Sequence, residues 1–235
     1  MALSKILCIF ATTFGLHVSS TSPNPPLHSS ERTVAPTRVE FILVSPSFRV
    51  LQKIFYWGAA IAETAIIVAQ FRPRSVRSQL VIRALTLGGG LPSIRPTPPL
   101  VIGCLLVTSG ALLRLLCYRS LGRYFTFEAG ITRNHRLVTT GPYALVRHPG
   151  YAGAVLAYLG LLLHYGPGSW FTECVCKGST AGAVFCAGYV LATSLVVVGL
   201  LSRIAKEDQA LKREFGREWD EWAARVPCIL IPCVY

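Results

Sequence analysis

Long apolar runs separated by short basic or proline-rich segments dominate the chain. The longest are residues 54–71, 100–118, 149–172 and 178–202, and a shorter run occupies 5–20. An α-helix rises about 1.5 Å per residue and the bilayer core is about 30 Å thick, so about 20 apolar residues can cross it. The pattern predicts an all-α polytopic membrane protein with about five transmembrane helices.

The segments between the runs suggest how the chain is organised. Residues 1–20 are a first transmembrane helix or signal-anchor; a small-residue cleavage site would fit their end, but an uncleaved helix is favoured because the rest of the chain is polytopic. Residues 21–48 form a linker rich in proline and serine. Residues 49–118 hold two transmembrane helices joined by a basic loop, and 119–235 hold everything that follows.

The last two apolar runs, 149–172 and 178–202, are separated only by the segment ECVCK. A linker this short predicts a helical hairpin, which returns the chain to the side that it left. The polar segment 119–148 and the C-terminal tail are therefore expected to face one compartment, and their basic character favours the cytosol. Loop 72–98 would then be lumenal despite its five arginines, unless it dips into the membrane interface or the count of spans is wrong by one.

Composition supports a membrane protein. Hydrophobic residues make up 52% of the chain, charged residues 14%, and the mean hydropathy is +0.49. The net charge of +12 lies in short arginine tracts without a nucleic-acid reading motif, which favours membrane lipid over nucleic acid as a partner. The cysteine spacings C-x-C and C-x4-C are not usual for zinc, so no metal site is predicted.

Two charged residues interrupt the apolar runs. Glu63 falls in the middle of a span, where a carboxylate has two interpretations. It is either a functional residue, or a structural one that is protonated or hydrogen-bonded and packs against a neighbouring helix. Arg114 lies near the end of the following span and is expected to extend to the membrane interface. His17 and His164 belong to no wider group of polar residues and are interpreted as structural.

The tail from Arg203 onward has the pattern of an amphipathic helix. An apolar stripe recurs at helical spacing in Leu211, Phe215, Trp219, Trp222 and Val226. We expect Gly216 to bend this helix and Pro227 to end it.

One polar stretch, HRLVTTGPYALVRHPGY at 135–151, enters the hairpin at one end. It carries His135, Tyr143, Arg147, His148 and Tyr151. Arg203 and Glu207 leave the hairpin at the same end, so the two groups are expected to be neighbours. A cation and an anion beside apolar helices suit a ligand with a charged head and a lipid tail.

This stretch, followed after an intervening span by R-x3-E-D-x2-L-x3-F-G-x2-W-x2-W-x3-V-P, resembles the isoprenylcysteine carboxyl methyltransferases. The resemblance covers about 124–235 and, upstream, only the hydropathy profile. It implies a multi-pass enzyme of the endoplasmic reticulum that transfers a methyl group from S-adenosylmethionine to the α-carboxylate of a C-terminal S-prenylated cysteine in proteins. Segment 119–235 would be the catalytic methyltransferase region, with its polar segment and C-terminus in the cytosol.

The resemblance also implies roles for individual residues. Arg203 would bind the substrate and act in catalysis. The cofactor would contact Glu128, His135, Arg136, Leu137, Val138, Tyr143, His148, Pro149, Gly150, Tyr151 and Glu207. The chain departs from the family at Glu128, where glutamine also occurs, at Trp219 and Trp222, which replace commoner tyrosines, and at Asp208, which replaces a second glutamate.

The chemistry of the residues agrees with this interpretation. The sequence has no strand–glycine–helix unit for a soluble dinucleotide-type domain, so the cofactor site would lie at the membrane. The acceptor carboxylate is ionised at neutral pH and needs no general base. Arg203 would hold it, and Glu207 would hold a polar or ammonium group of the cofactor.

Three alternatives remain open. The tail is also similar to the C-terminal segment of membrane sterol reductases that use NADPH, although those enzymes are longer. A phospholipid N-methyltransferase is a closer alternative. A membrane adaptor without catalytic activity is the third, and it would not need Arg203 and Glu207 beside the histidine segment.

Overall fold

The computed structural model describes residues 2–27, 45–86, 93–128, 130 and 135–232. Within these ranges the chain forms helices and no β-strand, which confirms the all-α class. The α-helices are α1 (Ala2–Ser19), α2 (Pro46–Gln70), α3 (Val76–Leu85), α4 (Pro98–Leu121), α5 (Pro149–His164), α6 (Thr180–Phe215) and α7 (Arg217–Arg225). Most of the predicted linker, residues 28–44, lies outside the described residues. The same holds for three consecutive glycines at 88–90, whose lack of a preceding strand predicts a flexible loop and not a nucleotide-binding motif.

Three helices are long and apolar enough to cross a membrane: Pro46–Gln70, Pro98–Tyr124 and Thr180–Phe215. Two more apolar helices, Leu3–Ser19 and Pro149–His164, are shorter. The predicted polytopic membrane protein is confirmed. The five predicted apolar helices are all present, and the first and the fourth predicted spans are the short ones.

Two boundaries differ from the sequence-based prediction because of proline and glycine. Helix α2 begins at Pro46 rather than at residue 54, and proline suits a first helical position because its missing N–H needs no partner there. Helix α5 ends at His164 rather than at 172. Pro167 and Gly168, which has φ +87°, follow it in a turn, and a π-helical turn at Phe171–Cys176 then takes in most of the predicted linker ECVCK.

The chain folds into two compact units, and the first comprises residues 1–17, 51–108 and 157–194. Its core consists of Leu16, Tyr56, Ala59, Val107, Ala157, Leu161, Tyr165, Phe171, Val175 and Cys186. Helices α4 and α5 approach closely in this unit because Gly103 and Gly160 face each other's backbone. Small residues at such crossings are typical of helix packing in membranes.

A buried ion pair joins α1 to α2 in the first unit. Nζ of Lys5 lies 2.8 Å from the carboxylate of Glu63, and the side chains are only 1% and 2% exposed. Lys5 also donates to the carbonyl of Gly168 at 2.6 Å, and the N–H of Trp170 donates to Glu63 at 3.1 Å. Of the two interpretations of Glu63, the structure supports the packed and hydrogen-bonded one.

The second unit comprises residues 18–50, 109–156 and 195–235. Its core consists of Cys117, Phe125, Tyr143, Trp219, Trp222 and Val226, with Leu211 and Phe215 packed against it. The predicted apolar stripe of the tail is therefore confirmed as core. It is divided between two helices, because Gly216 has φ +52° and separates α6 from α7, which ends before Pro227.

Candidate functional site

The turn that leads into α5 is bound to the C-terminal tail through the backbone. The N–H groups of Arg147 and His148 donate to the carbonyls of Cys228 and Ile229, both at 2.9 Å. Helix α5 begins directly afterwards, at Pro149. These contacts confirm that the stretch 135–151 and the tail meet at one end of the hairpin.

The side chains of the same two residues converge on α6. Asp208 accepts from Nη1 of Arg147 at 2.9 Å and from Nε2 of His148 at 2.9 Å. The guanidinium of Arg147 also lies over the ring of Trp219, 5.7 Å from its centroid. The three charged or polar groups are mostly buried, so the pairing is only weakly screened by solvent.

Tyr151 and Glu207 form the next contact between the two helices. The Tyr151 hydroxyl donates to the Glu207 carboxylate at 2.5 Å. Tyr151 lies in the first turn of α5 and Glu207 in the C-terminal part of α6, as an antiparallel hairpin requires. This contact brings the two predicted cofactor segments together.

His135 and Tyr143 lie close enough to Glu207 to interact electrostatically with it. The His135 ring stacks on Tyr124, with centroids 4.6 Å apart. Burial lowers the pKa of His135, and the carboxylates of Glu214 and Glu207 oppose that shift only in part. His135 is therefore neutral at pH 7, and its ring can hydrogen-bond as donor and acceptor.

Tyr143 is held in the core beneath the same site. Burial raises the pKa of Tyr143, and its neighbours Cys117 and Glu207 add to the effect. The phenol therefore stays protonated. Its backbone carbonyl accepts a hydrogen bond from Nε1 of Trp222 at 3.1 Å, which connects the turn to α7.

Arg203 lies one helical turn before Glu207 on α6 and is 5% exposed. Its Nη1 donates to the carbonyl of Phe127 at 3.0 Å. A buried guanidinium with several donors in a rigid fork is suited to a carboxylate ligand. The predicted substrate residue and the predicted cofactor residue thus share one face of one helix.

The prediction that Arg114 extends to the membrane interface is wrong. It is 7% exposed, and its Nη1 donates to the carbonyl of Gly150 at 3.0 Å. Its Nε donates to the Tyr118 hydroxyl at 3.2 Å, and its guanidinium lies 5.1 Å from the ring centroid of Phe127. These aromatic rings and the first turn of α5 satisfy the charge inside the protein, so it does not need to reach water.

The remaining predicted site residues occupy mixed positions. Glu128 accepts a hydrogen bond from the N–H of Leu27 at 2.7 Å. Arg136 is exposed, Leu137 and Val138 pack against the core of the second unit, and Pro149 is buried. The structure thus brings together His135, Tyr143, Tyr151 and Glu207, with His148 held nearby by Asp208.

Sequence reasoning left Arg114, Arg147 and Asp208 out of the predicted site. The signal for Arg114 was a lone arginine inside an apolar run, which favours a functional or buried role. Arg147 belongs to the polar stretch 135–151, and Asp208 is one of the positions at which the chain departs from the family. Their pairing could not be read from the sequence because 60 or more residues separate the partners.

The residues around Glu207 fit an adenosyl sulfonium cofactor by the chemistry of their donor set. Glu207 offers a carboxylate for a cation or a hydroxyl, while Tyr151 and neutral His135 offer polar groups. Aromatic rings at Tyr124 and Phe215 flank His135. Rings of this kind suit a planar base or a sulfonium charge.

Comparison with known proteins finds similarity to methyltransferases. The sequence model of the phospholipid methyltransferase family matches residues 99–181. The protein-S-isoprenylcysteine O-methyltransferase B of Arabidopsis thaliana is 31% identical over 128 residues, which are 53% of this chain and 55% of that protein. A probable protein-S-isoprenylcysteine O-methyltransferase of Oryza sativa subsp. indica is 30% identical over 128 residues, 53% of this chain and 57% of that protein.

The match spans about half the length of these curated relatives. The family match includes α4, the polar stretch 135–151 and α5, and so contains the segment that meets Asp208 and Glu207. The resemblance to the isoprenylcysteine methyltransferases that the two sequence motifs indicated is therefore confirmed.

Proposed function

We propose that this protein is a membrane methyltransferase acting on the α-carboxylate of a C-terminal S-prenylated cysteine, with S-adenosylmethionine as the methyl donor. The hydrogen bond between Tyr151 and Glu207 carries the proposal, because it joins the two motif segments into one site. We place the enzyme in the endoplasmic reticulum membrane, with the polar segment and the C-terminus in the cytosol and prenylated proteins as substrates.

Arg203 is the residue that binds the acceptor. The α-carboxylate of the substrate is ionised at neutral pH, since its ordinary pKa is about 3.5. A buried guanidinium can bind both oxygens of this carboxylate and fix the direction in which one of them points. The apolar helices that carry the site offer an environment for the prenyl chain.

Glu207, Tyr151, His135 and Tyr143 are the residues that would hold the donor. When bound, S-adenosylmethionine supplies a methyl group that bonds to the acceptor oxygen as the carbon–sulfur bond breaks and sulfur keeps the electron pair. Glu207 stays oriented because Tyr151 donates to it, and neutral His135 adds no repulsion to a cationic ligand.

The site needs no general base, so its contribution is positioning. Alignment of two reactants can supply roughly 7–11 kcal/mol of the barrier reduction. The polar stretch is held at three points: by Asp208, by the carbonyls of Cys228 and Ile229, and by Arg114 at Gly150. These contacts fix the start of α5 relative to the face of α6 that carries Arg203 and Glu207.

The test uses membranes that contain the full chain, radiolabelled S-adenosylmethionine and a farnesylated cysteine analogue. We expect base-labile methyl ester from the parent and a loss of ester in Arg203→Ala and Glu207→Ala. Lys206→Ala and Glu218→Ala are matched controls, because both residues are exposed. The first variant removes one positive charge, as Arg203→Ala does, and the second removes one negative charge, as Glu207→Ala does. Both controls are expected to retain activity.

Cofactor binding separates the ways in which this test can fail. Intact binding without ester would indicate another methyl acceptor. Neither binding nor ester, in folded protein, would overturn the proposal and favour the alternative of an NADPH-dependent sterol reductase.

A phospholipid amine is the second candidate acceptor, because the family model that matches residues 99–181 is that of the phospholipid methyltransferases. An amine acceptor must lose a proton before or during methylation, unlike a carboxylate. The same labelled membranes distinguish the two, since methylated amine headgroups are stable to base and extract with lipid. Base-stable label in the lipid extract would overturn the prenylcysteine proposal in favour of a phospholipid amine acceptor.

A further inference from the structure

A basic surface in the first unit has no role in the proposed site. Arg72 and Arg74 lie in the turn before α3, and Arg77 and Arg83 lie on α3; all four are exposed. The sequence has no acidic residue from 64 to 127. Within the part of the chain that the structure describes, none of the four arginines forms an ion pair.

Helix α3 also exposes apolar side chains on the same side as its arginines. Val76 is 72% exposed and Leu80 is 61% exposed, and Ala84 continues this row at the same spacing of four. At 3.6 residues per turn, the three form a narrow apolar stripe, and Arg77 and Arg83 fall on its two borders.

The other side of α3 is the side that packs on the protein. Ile82 is its buried residue. At the end of the helix the carbonyl of Leu85 accepts a hydrogen bond from Nε1 of Trp170 at 2.8 Å. One side of α3 therefore packs on the protein, and the apolar stripe on the opposite side faces outward.

We propose that α3 is an interfacial helix that binds anionic phospholipid. Val76, Leu80 and Ala84 would enter the boundary between headgroups and acyl chains, and the flanking arginines would bind the phosphates. An apolar stripe bordered by cations is the arrangement by which amphipathic helices lie in the membrane surface. Arginine suits phosphate because its planar fork can donate two parallel hydrogen bonds.

The proposal also explains the position of four of the five arginines in loop 72–98, those on α3 and in the turn before it. An interfacial helix keeps their charge at the headgroup level and does not require the loop to cross the membrane. The positively charged arginines between the apolar helices α2 and α4 would then contact the lipid headgroups on one surface of the membrane. This role is independent of the methyltransferase proposal, because it involves neither Arg203 nor Glu207.

The test measures lipid binding to the purified full-length protein in a neutral detergent. Phosphatidylglycerol and phosphatidylcholine with identical acyl chains are titrated in parallel, and the bound lipids are counted by native mass spectrometry. We expect the parent to prefer phosphatidylglycerol. Each arginine near the headgroup strengthens anionic binding by roughly fivefold, so R77Q/R83Q should lose roughly 10- to 30-fold of this preference.

The matched control is R213Q/R225Q, which removes two exposed arginines from α6 and α7. It is expected to keep the parent's preference, and thermal unfolding checks that both double variants are folded. An unchanged preference in R77Q/R83Q, an equal loss in both variants, or no preference in the parent would overturn the proposal. The assay contains no methyl donor or acceptor, so its outcome does not depend on the enzymatic activity.

Discussion

Asp208 accepts a hydrogen bond from Nε2 of His148 at 2.9 Å, and its other carboxylate oxygen accepts one from Arg147 at 2.9 Å. One side chain of α6 thus holds two consecutive residues at the entrance to α5. It lies next to Glu207 on α6, so its contacts with Arg147 and His148 hold the turn of α6 that carries the predicted cofactor carboxylate against the start of α5. Asp208 is therefore a positioning residue of the proposed site.

Replacing Asp208 with asparagine should lower kcat/KM by about 10- to 100-fold, because small displacements of aligned groups are costly. Asp208→Glu keeps the charge and should recover part of the activity. Thermal unfolding of both variants separates a loss of positioning from a loss of folding. Activity equal to the parent in Asp208→Asn would contradict this role.

Tyr151→Phe should weaken cofactor binding. The hydroxyl donates to the Glu207 carboxylate, and a hydrogen bond to a charged group contributes about 1.5–3 kcal/mol, so the Kd for S-adenosylmethionine should rise by roughly 10- to 100-fold. Tyr158→Phe is the matched control, since its hydroxyl bonds to Ser194 on the same pair of helices. Equilibrium dialysis with labelled cofactor provides the comparison, and equal effects in the two variants would exclude a specific role for Tyr151.

Stability should fall as the pH is lowered below about 6.5, the ordinary pKa of histidine. Burial lowers the pKa of His135, so the unfolded chain binds a proton in a range where the folded protein does not. The contribution of His135 to stability is therefore present above about pH 6.5 and is lost as the pH falls toward the lowered pKa. Unfolding in detergent at pH 7.5 and 5.5 measures this, and His135→Phe should show a smaller loss than the parent.

Breaking the ion pair between Lys5 and Glu63 should strongly destabilise the first unit. Removing one partner leaves a buried charge unpaired, which costs about 3–5 kcal/mol, so Glu63→Leu is expected to unfold at a markedly lower temperature. The double variant Lys5→Met with Glu63→Leu should recover most of this loss, because an apolar pair can replace a buried ion pair. Additive losses in the double variant would show that the two residues are not coupled.

Gly160→Ala should destabilise the crossing of α4 and α5. A Cβ there would lie 2.6 Å from the carbonyl oxygen of Gly103 and 2.7 Å from the backbone nitrogen of Val107, so the helices must separate. Overpacking of this kind costs about 1–3 kcal/mol. Gly188→Ala on α6 is the control, with nothing within 4 Å of the new atom, and it should be neutral or slightly stabilising. Thermal unfolding of the two variants in parallel distinguishes steric contact from helix propensity.

The amino-acid sequence predicted the membrane helices, because their apolar length depends on local composition alone. It also determined the hairpin and the meeting of the stretch 135–151 with the tail, since a short connection returns the chain to its starting side. The break at Gly216 and the end before Pro227 followed from backbone chemistry.

The long-range partners of the charged residues became apparent only in the folded protein. Glu63 pairs with Lys5, Arg114 turns inward to Gly150, and Asp208 joins His148 to α6. Helix crossings bring these groups together, and residue spacing within one helix does not specify where another helix crosses it. A buried charge must be satisfied by whichever group the packing places beside it, which is why its partner could not be predicted from the chain alone.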